Sequence, residues 1–491
     1  MQVRDLAEPD TTEPFYAGGQ EIVAAAGSFG DVSKFFQAMP GVAALSDATD
    51  DLLVRGGDPM ENLFLIDGIQ VPNINSLATL GTTGGFGPMI DSAAIQSVSL
   101  KTGGYGAEYP ERLSSVFEIR TLEARELTSH AEADLGIQGI GGLVDTPLRG
   151  SDLLLSAHHG LLNVLNSFGI EGLPSYTNEL MRLRRRDGRG DRLTLLHLGG
   201  WDSLKITPCP NDPAESSTID SQYSGLRETT GVEWQHVYSK DSFGVANVSD
   251  SEQMDHTAQQ DQLPDPVGGS LDANSCALTS ISIPVPVYQE HANGAFTTVG
   301  YQFEWSRSWI TVTAGSAFWL QRPHYRIDQP AGALSPYSAS PVRTDSMSFS
   351  SRFSTGESGT YTEITAHPAR GLVLSAGGRL QSFALGDHNT RTPRVIARYK
   401  PAEYLAFHAA LATYAQRPPY VYLLSFPQNR SLLPMRAIHE VAGIDIGPVL
   451  SSQIRIEAYQ KIYRDVPAST KYPAVNLHDQ VDTLGAQRVW L

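Results

Sequence analysis

From about Ser129 onward the chain alternates between apolar and polar side chains. Val299, Tyr301, Phe303 and Trp305 alternate with Thr298, Gly300, Gln302 and Glu304. Ile310, Val312 and Ala314 do so with Thr311 and Thr313, and Ile454, Ile456 and Ala458 with Arg455, Glu457 and Tyr459. A β-strand turns successive side chains to opposite faces, so each run has one apolar and one polar face. Many such runs between turn-rich loops predict a large antiparallel sheet, either a sandwich or a barrel. The stretches 202–220, 249–274 and 329–345 read as loops. The first hundred or so residues differ. Gly30 to Met39 places Val32, Phe35, Phe36 and Met39 near helical spacing, stopped by Pro40-Gly41. Leu52 to Val54, Leu63 to Ile66 and Ile95 to Leu100 are short apolar runs between glycine-rich turns, which predicts a small α+β module. Leu77 to Pro88 is a glycine-rich loop.

Composition narrows the class. No run approaches 18 uninterrupted apolar residues, so no transmembrane helix is expected, yet a membrane β-barrel hides from such averages. The net charge of −17 argues against a nucleic-acid partner. Cys209 and Cys276 leave room for one bridge at most and read as an inert pair. Met1 to Asp10 has no basic start followed by an apolar core. On a soluble reading this suggests cytoplasm; on a barrel reading the start is missing. Tyr301, Phe303 and Trp305 share a face, with Trp309, Phe318 and Trp319 close by, and Tyr420, Tyr422 and Phe426 cluster near a strand end. Aromatic girdles at two bilayer interfaces give this pattern, and so does a soluble sandwich core.

Enzyme signatures are missing from the sequence. It has no phosphate loop ending Gly-Lys-Ser/Thr, no HExxH, no CxxC and no GxSxG. Gly103-Gly104-Tyr105-Gly106 lacks the strand–turn–helix spacing of a nucleotide-binding turn. His158 and His159 are adjacent on a strand and point apart, which disfavours a shared metal. No metal or cofactor is expected. Arg182, Arg184, Arg185 and Arg186 read as arginines exposed to water or lipopolysaccharide phosphates. Acidic pairs such as Asp50-Asp51 read as ordinary loop residues.

One segment carries a resemblance. Val54-Arg55-Gly56-Gly57, a spacer, then Leu63-Phe64-Leu65-Ile66-Asp67-Gly68 resembles the plug domain of TonB-dependent outer-membrane receptors. Phe29 to Val42 resembles that family's opening helix and Pro-Gly turn. Ala94 to Leu100 resembles the strand before its Gly-Gly-Tyr-Gly turn, here Gly103, Gly104, Tyr105 and Gly106, and Tyr109 to Arg120 its last plug strand. Glu111-Arg112-Leu113-Ser114-Ser115 is closer to the carboxypeptidase-regulatory-like subgroup. Tyr414 to Pro434 and Ile454 to Asp465 are similar to later barrel segments.

The resemblance implies a mostly β protein: an N-terminal extension (1–20), a small α+β plug (21–125), then an antiparallel transmembrane β-barrel (126–491). It implies TonB-dependent uptake of a scarce nutrient across the outer membrane, with the TonB complex, an unidentified ligand and lipid or lipopolysaccharide as partners. It also implies that Arg55 ties the plug to glutamates on the barrel wall, for which Glu363 and Glu457 are candidates. A guanidinium clamps carboxylates bidentately, and Asp67-Gly68 between apolar runs is a hairpin signal.

A plug of this size suggests a barrel of about 22 strands, more than residues 126–491 supply once loops are counted. A fragment is therefore expected, with a barrel incomplete at the C-terminus. The rival from another class is a soluble or surface β-rich carbohydrate- or protein-binding or adhesion protein; a glycosidase on a β scaffold is weaker. The discriminator is one face. Val299, Tyr301, Phe303 and Trp305 point outward in a barrel and are buried in a sandwich.

Overall fold

The computed structural model describes residues 15–44, 49–78, 85, 87–110, 112–123, 128–136, 139–164, 172–188, 190–206, 219–264, 282–329, 347–449, 452–469, 481–483 and 487–490. Cys209, Cys276 and most of the glycine-rich loop lie outside them. No described helix is long and apolar enough to cross a membrane.

The N-terminal module is built on a five-stranded sheet in the order Phe15–Ala17, Ile95–Lys101, Ser115–Thr121, Asn62–Ile66, Ile69–Val71. The third and fourth of these are parallel and the other neighbours antiparallel. The helix Val32–Gln37 starts where the Asp31 carboxylate accepts the Lys34 N–H at 3.0 Å, an N-cap. It buries Val32, Phe35 and Phe36, and the Phe36 ring meets Phe117 edge to face at 5.5 Å. Asp67 and Gly68, both at positive φ, turn the chain between Asn62–Ile66 and Ile69–Val71, as a two-residue hairpin of this hand requires.

From His130–Gly136 to Ser452–Arg464 the strands pair antiparallel in one large sheet that surrounds this module. Two-residue turns at 149–150, 240–241, 308–309, 370–371 and 403–404 mark one end. The opposite end carries the longer connections. There Ile219–Ser239, Ser242–Pro264 and Ser282–Arg307 run for 21, 23 and 26 residues, about twice what a bilayer crossing needs. Residues 249–264, expected as loop, are strand. Over 249–260 the sequence is largely polar at both odd and even positions, so no alternation announces it.

The strand count falls short of about 22, as the length left after the N-terminal module predicts. Eighteen strands are ordered around the sheet. His324–Gln329 extends the line of Ile310–Gln321 along Ser282–Arg307, and Met347–Arg352 extends that of Thr355–Ala369. Each pair fills one place, which leaves sixteen among the described residues rather than about 22. Gln487–Trp490 stands between Ser452–Arg464 and His130–Gly136. Its pairing with Ser452–Arg464 reaches only Gln460 to Tyr463, so the sheet is not zipped along its full height at this seam.

The discriminating face points outward. Val299, Tyr301 and Phe303 are exposed, as are Ile454 and Ile456. That pattern is the reverse of a sandwich core. Trp319 departs from its neighbours: it is 4% exposed and donates its indole N–H into the lumen, to Gln70 Oε1 at 3.2 Å. Tyr420 and Tyr422 do not form a girdle either. They lie on the short helix Tyr420–Ser425, which folds inward and packs on Tyr288, Ala292, Tyr325 and Ile327.

Candidate functional site: the plug–wall interface

Leu53–Val54 ends at Arg55 and Gly56, both at positive φ, with the Arg55 N–H donating to Gly41 O at 2.7 Å. A Cβ on Gly57 would fall 2.3 Å from Ser114 Oγ, so this corner admits no side chain there. The turn sends the buried Arg55 guanidinium to the wall. It ion-pairs with Glu457 and lies over the Tyr459 ring, 4.5 Å from its centre. Burial pulls the Arg55 pKa down and the Glu457 charge opposes that.

Beside this pair the wall holds the plug's main chain. Lys461 Nζ donates to Val54 O and Ser114 Oγ, both at 2.9 Å, and His439 Nε2 donates to Leu113 O at 2.7 Å. Tyr463 donates its hydroxyl to Glu61 at 2.6 Å. Burial pushes the Glu61 carboxyl up to about 7, with Lys461 opposing. Gly103 and Gly104 open the next loop at positive φ. Arg394 donates to Gly106 O and, at 3.3 Å, to Tyr109 O, while Tyr414 donates to Tyr105 O at 3.0 Å. Glu363 is also at the interface. It does not meet Arg55; it accepts the Ala107 N–H at 2.7 Å.

The facing wall is built from strands 151–264. Arg184 pairs with Asp67 at 3.2 Å, and Thr121 donates to Asp67 from its N–H at 3.1 Å and its hydroxyl at 2.6 Å. A Cβ on Gly68 would lie 2.1 Å from the Glu233 carboxylate. Arg182 reaches Leu122 O and Asp152. Arg182 and Arg184 are therefore buried plug contacts, contrary to the exposed run expected, and only Arg185 and Arg186 are exposed. Period two turns Arg182, Arg184 and Arg186 to the lumen and Arg185 outward, and Arg186, at the strand's end, pairs with Glu123 while half exposed. Higher up, Asp202 accepts the Leu77 N–H at 2.9 Å, and Arg227 and Tyr223 donate to Ala78 O at 2.6 and 2.8 Å.

Asp50 and Asp51 are buried, not loop-exposed. Asp50 accepts the Gly87 N–H at 2.8 Å and pairs with Lys34 at 3.2 Å. His158 packs edge-on to Tyr176 while His159 bonds Thr177 at 2.7 Å. No group of three or more metal-ligating side chains occurs among the described residues. Lys461, His439, Arg394, Tyr414, Asp202 and Arg227 were not picked out from sequence. For Lys461 the signal was parity: on 452–464, outward Ile454 and Ile456 place Arg455, Glu457, Lys461 and Tyr463 inward.

Comparison with known proteins agrees with this architecture. The family model described as TonB-dependent Receptor Plug Domain matches residues 12–114. The one described as TonB dependent receptor-like, beta-barrel matches residues 168–490. No curated protein matches. Among solved structures, a mutant ferric enterobactin receptor of Pseudomonas aeruginosa aligns over 97% of this chain and 76% of its own, at 14% identity and a TM-score of 0.65. The siderophore receptor PirA of Acinetobacter baumannii aligns over 93% and 71%, at 15% identity and 0.64. The copper transporter OprC aligns over 97% and 76%, at 13% identity and 0.68. At such identities the likeness is one of fold.

Proposed function

This chain belongs to the TonB-dependent receptor family, and from that premise we propose how it serves energised uptake across the outer membrane. Residues up to about 125 form the plug, which closes the lumen of the barrel that follows. The Arg55–Glu457 pair ties the plug to the wall. The TonB complex supplies the force that loosens it, and the outward face of Val299, Tyr301 and Phe303 meets lipid. The ligand is a siderophore or other metal complex, the class named for the receptors of similar fold. The observation that carries this reading is the grip on the plug by buried side chains of two facing walls. A soluble binding protein has no use for a lumen filled in this way.

The test is uptake by cells expressing the chain. Radiolabelled ferric siderophores and chelated copper are offered with and without a collapsed proton motive force. The expected outcome is accumulation of at least one complex that stops on collapse. The outer-membrane fraction is also expected to hold a species that shifts between unheated and boiled gels. A soluble, unshifted protein overturns the reading.

A further inference from the structure

Glu457 has a second partner, on a strand that does not neighbour its own. His408 lies on Leu405–Gln416, and between that strand and Ser452–Arg464 runs Met435–Val449. Gly443 is the residue in between, paired with His408 on one side and with Glu457 on the other. A Cβ at Gly443 would lie 2.4 Å from His408 Nε2. The glycine therefore leaves the space through which the imidazole reaches across a whole strand. It arrives with Nε2 2.9 Å from Glu457 Oε2 and Nδ1 3.1 Å from Asp445 Oδ2. Asp445 accepts in turn from Arg455 Nε at 2.7 Å.

A neutral imidazole has one N–H and one lone pair. Here both ring nitrogens face carboxylate oxygens, which only accept while ionised, so a neutral ring would set a lone pair against a charged oxygen. An imidazolium donates to both. His408 is itself buried, so neither contact is replaced by water.

We propose that His408 is the positioning residue of the plug tie: an imidazolium braced between Asp445 and Glu457 that holds Glu457 toward Arg55. The proposal rests on reading Arg55–Glu457 as the tie. The groups facing the ring are Asp445 from Met435–Val449, Glu457 and Arg455 from Ser452–Arg464, and Arg398, its cross-strand partner on His388–Ala402. From the plug the nearest is Arg55, through Glu457.

The experiment uses the full chain in detergent micelles. Hydrogen exchange of plug peptides covering 53–62 and 105–114 is followed by mass spectrometry, corrected for intrinsic exchange. His408→Gln and Gly443→Ala, which remove the ring or its space, are expected to be about tenfold less protected than wild type, the loss of one charged hydrogen bond. Nitrogen NMR of the wild-type His408 ring at about pH 6 should show both nitrogens protonated, a readout independent of either variant's folding. A neutral tautomer at that pH, or wild-type protection retained in both variants, overturns the proposal. Glu457→Ala separates the two ideas. If it leaves plug protection unchanged, the tie reading fails; if it loosens the plug while His408→Gln does not, only the role of His408 fails.

Discussion

The two walls that hold the plug use ion pairs of opposite polarity. On one side a plug cation, Arg55, meets a wall anion, Glu457; on the other a plug anion, Asp67, meets a wall cation, Arg184. Both plug residues are non-glycine residues at positive φ, each at a corner followed by glycine. The difference is in what else each charge has. The Asp67 carboxylate is already bonded by the N–H and hydroxyl of Thr121, within the plug. The Arg55 guanidinium is buried and its ion-pair partner belongs to the wall. Polarity is thus interchangeable, whereas dependence on the wall is not. The Arg55 side is where release of the plug leaves a charge stranded.

That asymmetry sets the order of effects. Glu457→Ala strands Arg55 and is expected to weaken the seated plug by about 3–5 kcal/mol, the usual cost of breaking a buried pair on one side. Urea unfolding of the plug in the full chain measures it. A double-mutant cycle with Arg55→Ala should recover much of the loss, because the second change removes the stranded charge. Full additivity would show that the two residues do not act as a pair. Arg184→Met sharpens the contrast. Asp67 keeps its bonds to Thr121, and the exposed Glu123, Arg184's other partner, keeps Arg186, so the same measurement should give a loss of only about 1.5 kcal/mol, a single buried charged hydrogen bond's worth. If Arg184→Met costs as much as Glu457→Ala, the walls are equivalent and the comparison fails.

The two walls were unequally legible in the sequence. Arg55, Asp67 and the glycines after them lie in a compact motif whose turns dictate residue type, so position and chemistry are readable together. Glu457 sits on a strand with clean alternation, where apolar Ile454 and Ile456 fix the lumen side. Arg227 and Asp202 had no such guide. They sit near the outer end of their strands, where Ser221, Gln222 and Ser224 leave both faces polar, and a one-residue slip would turn either to water. Arg182 and Arg184 were misread because a run of arginines suggests solvent until register separates alternate members. His408 was unreadable for another reason. Its partner is two strands away, and the link depends on a missing side chain at Gly443.

Within the plug, away from both ion pairs, the Asp31–Asp50 neighbourhood supplies an effect of opposite sign. Burial, aided by the nearby Asp50 charge, raises the Asp31 carboxyl to about 8; its bonds to backbone N–H groups and the Lys34 charge pull the other way. An acid whose folded pKa lies above its unfolded value near 3.8 takes up a proton on folding. Its stabilising contribution is complete below about pH 4 and is lost as pH rises toward about 8. Asn at this position keeps a side-chain oxygen to accept the Lys34 N–H, so the helix cap survives. Asp31→Asn should therefore leave the plug unchanged at about pH 4 and stabilise it at neutral pH, flattening the decline. Urea midpoints of both forms, taken at several pH values between those limits, measure the difference. A loss at neutral pH would mean that Asp31 is ionised in the folded plug and stabilised by Lys34. The plug would then hold internal charge as firmly as the walls hold Arg55, and the stranded-charge argument would lose its force.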